Sequence, residues 1–295
     1  MSKYPWRHID MNAENSISKI LRLVRKEKNV LDVGCANGYL SEALREQLNC
    51  SVTGVEIDSN AAKEARKYCN RVIVGDIENE NVIKALVGER FDIIIFGDLL
   101  EHLKYPTAVL KAVRPLLTDS GYILASIPNI AHISVALDLL EGNFEYRSSG
   151  ILDDTHIRFF TKKSILSMFK EAGYEICVWD RVIMKPEDTE FKTKLSNYPY
   201  SLLSFFQPSG DSLTYQFIVK AISYSKKKNL DEQISESEKW TLRELRDTVV
   251  GYEKKLAKRD RRLAEQERKL GAILNSYSWK ITAPLRSLYN ILRRK

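Results

Sequence analysis

Val30-Leu31-Asp32-Val33-Gly34-Cys35-Ala36-Asn37-Gly38-Tyr39-Leu40 decides the fold. Its apolar start reads as a buried strand, and the chain then breaks into a turn bearing two glycines. Leu40, Ala43, Leu44 and Leu48 follow at helical spacing. Strand, tight turn and helix start form the arrangement that lets backbone approach a nucleotide-like ligand. Gly34 and Gly38 lack a Cβ, so the chain can turn sharply and a ligand can lie against the main chain. Glycine turns after strands are common, and this one alone does not establish a cofactor site.

The following residues extend the pattern. Ser51-Val52-Thr53-Gly54-Val55-Glu56-Ile57-Asp58 reads as a second strand ending in an acid about twenty residues past the glycines. A carboxylate there suits two ribose hydroxyls, because it accepts both hydrogen bonds at once. Arg71–Ile77 is a third strand and carries Asp76. Phe91–Asp98 is a fourth and Gly121–Asn129 a fifth, with helical patterns at 40–48, 59–69, 79–88 and 105–117 between them. Strands alternating with helices predict an α/β fold with a parallel sheet that binds ligands at the carboxyl ends of its strands.

On these residues the chain resembles the class I S-adenosylmethionine-dependent methyltransferases over 28–128, through V-L-D-V-G-C-x-x-G, G-V-E-I-D, G-D-I and F-D-I-I. A dinucleotide-binding dehydrogenase would want G-x-G-x-x-G, and the spacing from Gly34 to Gly38 does not fit. The resemblance implies S-adenosylmethionine as cofactor. Asp32, Gly34, Cys35 and Gly38 would surround its methionine part, and Glu56 would hold the ribose. Asp76 and the Ile77 backbone would face the adenine, and Asp98 would lie near the sulfonium. Ala36 replaces a glycine of the family's triplet and is expected to alter the loop slightly without loss of binding.

The domain is expected to run from 1 to 225. Thr161–Ala172 is a helix capped by Gly173, and Tyr174–Met184 and Leu213–Ser223 are two more strands. The resemblance implies that they form an antiparallel pair, the last strand inserting beside the fifth. That makes a seven-stranded, mostly parallel Rossmann-like sheet with helices on both faces. Lys185–Asp211 is either a lid over the acceptor or a packed loop.

Between the fifth strand and that helix lies the segment expected to choose the acceptor. It carries P-N-x-x-H at 128–132, G-x-F-x-Y at 142–146 and D-x-T-H-x-R-F-F-T at 153–161. This pattern is similar to a methyltransferase subgroup found in bacterial surface-polysaccharide gene sets. A hydroxyl acceptor must lose its proton as it attacks, and an imidazole titrating near working pH suits that role. Of the four histidines, His102, His132 and His156 are the candidate bases, with Asp154 placed to orient His156. Asp153, Asp154 and His156 fall short of a full metal coordination set, so no metal is assigned.

The net charge is +7. Residues 226–295 hold 19 Lys or Arg against 10 acids, and the rest 27 against 29. The near-neutral first part disfavours nucleic acid as a substrate. No run of 18 apolar residues and no leader pattern occurs, and the four cysteines have no metal or disulfide spacing. The expected location is therefore cytoplasmic, with possible peripheral contact at the inner membrane face. Leu242, Val249, Leu256, Leu263 and Leu270 recur every seven residues, with Leu245, Tyr252, Arg259, Gln266 and Ile273 as companions. This predicts a basic linker and coiled coil over 226–275 and a homo-oligomer. The tail, 276–295, is basic and amphipathic and suits an anionic headgroup layer. Its S-x-S-W-K-I-T-A-P-L-R string resembles a C-terminal signature of polysaccharide-assembly enzymes, which implies docking to a partner such as a glycosyltransferase as the other reading.

The expected activity is O-methylation of a glycan hydroxyl or its lipid-linked precursor. The alternatives are a small-molecule O-methyltransferase of the quinone-biosynthesis type, which D-L-L-E-H-L also resembles, and a recruitment scaffold.

Overall fold

The structure, a computed structural model, describes residues 9–206 and 210–224, together with 258, 261, 264–269 and 271–272. The chain divides into two compact units. One is Met1–Leu195 with Ser209–Asp231, and the other is Ser196–Pro208 with Glu232–Lys295.

The first unit is built in the order α1 (Ser16–Leu23), β1 (Asn29–Val33), α2 (Tyr39–Leu48), β2 (Ser51–Glu56), α3 (Ser59–Ala65), β3 (Arg71–Val74), α4 (Glu80–Lys84), β4 (Phe91–Gly97), α5 (Pro106–Val113), β5 (Leu117–Pro128), α6 (Ile133–Leu140), α7 (Lys162–Glu171), β6 (Tyr174–Ile183) and β7 (Thr214–Ser223). The seven strands form one sheet in the order β3-β2-β1-β4-β5-β7-β6. The first five are parallel, while β7 runs antiparallel between β5 and β6. This is the mostly parallel, seven-stranded Rossmann-like sheet expected from the sequence, with the last strand inserted beside the fifth.

Alternation along the central strands supplies two cores. Ile94 and Phe96 of β4 pack with Val109, Leu110 and Val113 of α5 and Ile165 and Phe169 of α7. Ile93 and Ile95 face the other way, onto Ile20 and Leu21 of α1 and Leu40, Ala43 and Leu44 of α2. Helices therefore cover both faces.

Local chemistry sets the boundaries. Asn15 caps α1 through the Ser18 N–H, and Asp58 caps α3 through the N–H groups of Asn60 and Ala61. Pro106 occupies the first turn of α5, where its missing N–H costs nothing. The helix expected over 105–117 is shorter, because Arg114–Leu116 form a 3-10 turn and Leu117 already pairs with Phe91. α1 has no counterpart in the sequence reading. It is only eight residues long, and its burial depends on contact with β5 and β7.

In the second unit Tyr200–Leu203 make one helical turn, and the Tyr200 hydroxyl donates to Glu267 Oε2 at 2.8 Å. Positions 264–269 are helical. Of the heptad positions only Gln266 is described, and no coiled coil is evident among the described residues. The tail at 276–295 lies outside them. Among the described residues no helix is long and apolar enough to cross a membrane.

Candidate active site

A cavity of about 850 Å³ opens at the carboxyl ends of β1 to β4. One wall is the glycine turn. Gly34 and Cys35 donate their N–H groups to the Val55 carbonyl at 2.8 and 3.1 Å, which ties the turn to β2. Gly34 has φ +75°, and a Cβ there would come within 3.0 Å of Leu99 Cδ1. Gly38 has φ +86°, and a Cβ would sit 2.8 Å from Ala65 Cα, a backbone atom that cannot yield. Ala36 itself adopts φ +46°, a left-handed conformation that alanine enters at a cost.

Glu56 stands at the end of β2, with its carboxylate held by two backbone donors. The Ala36 N–H reaches Oε2 at 2.9 Å and the Asp58 N–H reaches Oε1 at 2.9 Å. Each oxygen keeps a further lone pair for a ligand hydroxyl. Beyond β3, Asp76 and Ile77 line the same cavity, and Asp76 Oδ1 accepts the Glu78 N–H at 2.8 Å. Asp98, at φ +50°, lies past the end of β4. It accepts hydrogen bonds from the Ser126 hydroxyl at 2.5 Å and from the Gln216 amide. Burial pushes its carboxyl upward, partly opposed by Ser126. Leu99, His102, Leu103 and Ile157 close this end.

Six carboxylates (Glu56, Asp58, Glu64, Asp76, Glu78 and Asp98) against one lysine, Lys104, line the cavity. That balance, the glycine wall and the pinned Glu56 fit a ligand with a vicinal diol and a cationic end, as S-adenosylmethionine has.

Three of the expected cofactor residues stand behind this wall. Asp32 is buried, accepts the Ser41 hydroxyl at 2.8 Å, and is pushed up to about 6 by burial. The Cys35 side chain packs with Cys69 beside Gly54. Gly38 caps α2. None of the three lines the cavity directly.

The candidate bases fall in different places. His102 lines the cavity, and its Nδ1 lies 3.0 Å from the Thr155 carbonyl. His156 is buried behind it with Nδ1 3.0 Å from the Ile151 carbonyl, and the two rings meet edge to face at 4.8 Å. His132 is fully buried and caps α6. Its Nδ1 accepts the Ser134 N–H at 3.2 Å and its Nε2 donates to the Met184 carbonyl at 3.0 Å. Both of its ring nitrogens are thus engaged away from the cavity. Asp154 is exposed, and the segment's buried acid is Asp153, which accepts the Thr155 N–H at 2.9 Å.

Two further groups complete this end. Gln216 arrives from β7 and fixes Asp98. Glu101 precedes His102, and its backbone carbonyl accepts the N–H groups of Ile157 and Arg158, both at 3.0 Å. Its side chain is 1 % exposed, and neither carboxylate oxygen has a hydrogen-bond partner. Burial, reinforced by Asp98 and Asp153, holds this carboxyl well above the usual carboxylate range. The sequence shows the E-H pair, but only the fold shows how dry its surroundings are.

The family described as methyltransferase domain matches residues 6–177. The chain belongs to the methyltransferase-domain family. Its methyl donor is S-adenosylmethionine, in keeping with the cavity just described. The ubiquinone biosynthesis O-methyltransferase of Histophilus somni is 33% identical over 125 residues, 40% of this chain and 52% of that one. The enzyme of the same description from Pasteurella multocida is 33% identical over 114 residues, 35% of this chain and 47% of that one. The chain thus spans about half the length of these curated relatives. A SAM-dependent methyltransferase from Archaeoglobus fulgidus shares the fold, with a TM-score of 0.50 at 16% identity, covering 70% of this chain and 91% of that one.

These relatives correct the expected place of this methyltransferase-domain protein in surface-polysaccharide synthesis, since they are quinone-biosynthesis enzymes. The structure supplies a physical reason for the misreading. The motif residues that suggested the subgroup hold the segment together. Asn129 Nδ2 donates to the Thr214 carbonyl at 2.8 Å, His132 caps a helix, and Arg158 donates to the Lys104 carbonyl at 2.6 Å. Such residues report architecture, not the acceptor.

Proposed function

We propose that this protein O-methylates a small phenolic or catechol-type acceptor, a reading supported by relatives named as O-methyltransferases of ubiquinone biosynthesis. The observation that carries the reading is the cavity end formed by Asp98, Leu99, His102, Leu103 and Ile157, where an imidazole stands among apolar side chains. A flat aromatic ring fits apolar walls, and its hydroxyl needs a polar group beside it to assist loss of the proton.

S-adenosylmethionine supplies an electrophilic methyl on a sulfonium, displaced in line by the acceptor oxygen. The chain's own residues set the alignment. Glu56 would hold the ribose end of the donor and Asp98 its opposite, cationic end. Asp98 keeps its position through Ser126 and Gln216. His102 is oriented by the Thr155 carbonyl, which accepts its Nδ1–H and leaves Nε2 as the lone-pair nitrogen. The acceptor hydroxyl enters and loses its proton beside this histidine. His132 takes no part, because both of its nitrogens serve the fold.

The test is a transfer assay with methyl-labelled cofactor against catechols, hydroxylated polyprenylphenols, simple sugars and nucleic acid, with product analysis. Labelled methyl ethers from phenolic acceptors alone are expected. Transfer only to sugars or nucleic acid would refute the reading.

A further inference from the structure

Glu101, His102 and His156 bring one ligand atom each to within 4.8 Å of one another, and we propose that they hold a divalent transition-metal ion of the zinc class beside the acceptor. The proposal rests on the reading above in one respect, that the acceptor oxygen enters at His102.

Two imidazoles and a carboxylate are a donor set that suits such ions. Both histidines are already oriented from behind. Thr155 and Ile151 offer backbone carbonyls to their Nδ1 atoms at 3.0 Å each, which selects the tautomer carrying its lone pair on Nε2. That outer contact is the usual companion of a metal-bound imidazole.

Glu101 supplies an independent observation. It is 1 % exposed, and both carboxylate oxygens lack any hydrogen-bond partner. A buried carboxyl group without donors is costly, and native structures rarely leave one so. A dication shared with two imidazoles would satisfy it.

Ligands at about 2 Å from one ion stand roughly 3–4 Å apart, so closing the site asks for side-chain adjustments of about 1 Å. Three protein ligands leave a coordination position open, and His102 borders the cavity. An acceptor hydroxyl bound there would become more acidic, and its proton would pass to solvent as the C–O bond forms and the methyl–sulfur bond breaks. His102 then acts as a ligand and does not itself take the proton.

The experiment uses full-length, untagged protein stripped with a chelator and titrated with Co²⁺ in the presence of S-adenosylhomocysteine. One equivalent should bind with visible ligand-field bands. Glu101→Gln and His156→Ala should each weaken it about tenfold or more, while S-adenosylhomocysteine affinity is kept. Absence of a stoichiometric band in protein that binds S-adenosylhomocysteine overturns the site, as do bands indifferent to both substitutions. Full turnover on the true acceptor in stripped protein overturns its role. Metal binding without transfer to phenols would instead refute only the acceptor reading.

Discussion

The carboxylate of Glu56 accepts the backbone N–H of Ala36 at 2.9 Å, joining two motifs that lie twenty residues apart in the chain. The end of β2 thereby holds the glycine turn in shape, and the turn holds the carboxylate toward the cavity. The proposed cofactor contact and the loop geometry share one side chain.

Glu56→Ala should therefore cost more than its ligand contacts alone. We expect S-adenosylhomocysteine binding to weaken by about 2–4 kcal/mol, since hydrogen bonds to a charged group contribute about 1.5–3 kcal/mol each and do not add fully. Calorimetric titration checks this. Unchanged affinity in a folded variant would place the ribose elsewhere.

Ala36→Gly should relieve the left-handed backbone at φ +46°. A gain of up to about 1 kcal/mol in unfolding free energy is expected, reduced by the greater freedom of glycine in the unfolded chain. Cofactor affinity should stay the same. A clear loss of stability in urea melts would show that the methyl packs usefully.

Alanine at the two histidines should separate chemistry from folding. His102→Ala should lower turnover by about 10²–10⁴ with S-adenosylhomocysteine affinity kept. His132→Ala should lower stability by about 1–3 kcal/mol through loss of the α6 cap and the Met184 contact. Comparing kcat with urea midpoints decides. The reverse pattern would move the chemistry to His132.

Asp32 should leave a mark on the pH dependence of stability. Its carboxyl titrates at about 6 in the fold against an ordinary 3.8, because burial outweighs the Ser41 hydrogen bond. Below 3.8 both folded and unfolded chains hold the proton. Between 3.8 and about 6 only the folded chain holds it, so this contribution falls as pH rises and is gone above about 6. Two pH units correspond to about 3 kcal/mol. Asp32→Asn should gain on the native protein across that window. Burial shifts His132 downward, an opposite slope common to both proteins that cancels in the difference. Urea melts between pH 4 and 8 giving a constant difference would contradict this.

The strands were legible because sheets covered on both faces read as unbroken apolar runs such as Ile93–Phe96, bounded by acids at their ends. Gly34, Glu56, Asp76 and Asp98 reach one cavity because parallel strands deliver their carboxyl ends to one edge. Less of the acceptor end was legible. His132 looks like a base in sequence, and only the fold reveals that its ring is buried with both nitrogens engaged, by Ser134 and Met184. Glu101 looks like an ordinary acid beside a histidine, and its isolation arises from residues near 156. α1 escaped notice because its apolar face finds partners more than ninety residues away.

The insertion of β7 between β5 and β6 also bears on the order in which the molecule can be completed during synthesis. β6 is made before β7 yet pairs with no other strand among the described residues, so it has no place in the sheet until residues 214–223 have left the ribosome. Gln216, which fixes Asp98, arrives on that same strand. A nascent chain can thus assemble the β1 to β4 platform early, but the Asp98 end of the cavity is completed only when β7 docks, and a stall before residue 214 would leave β5 as an open edge.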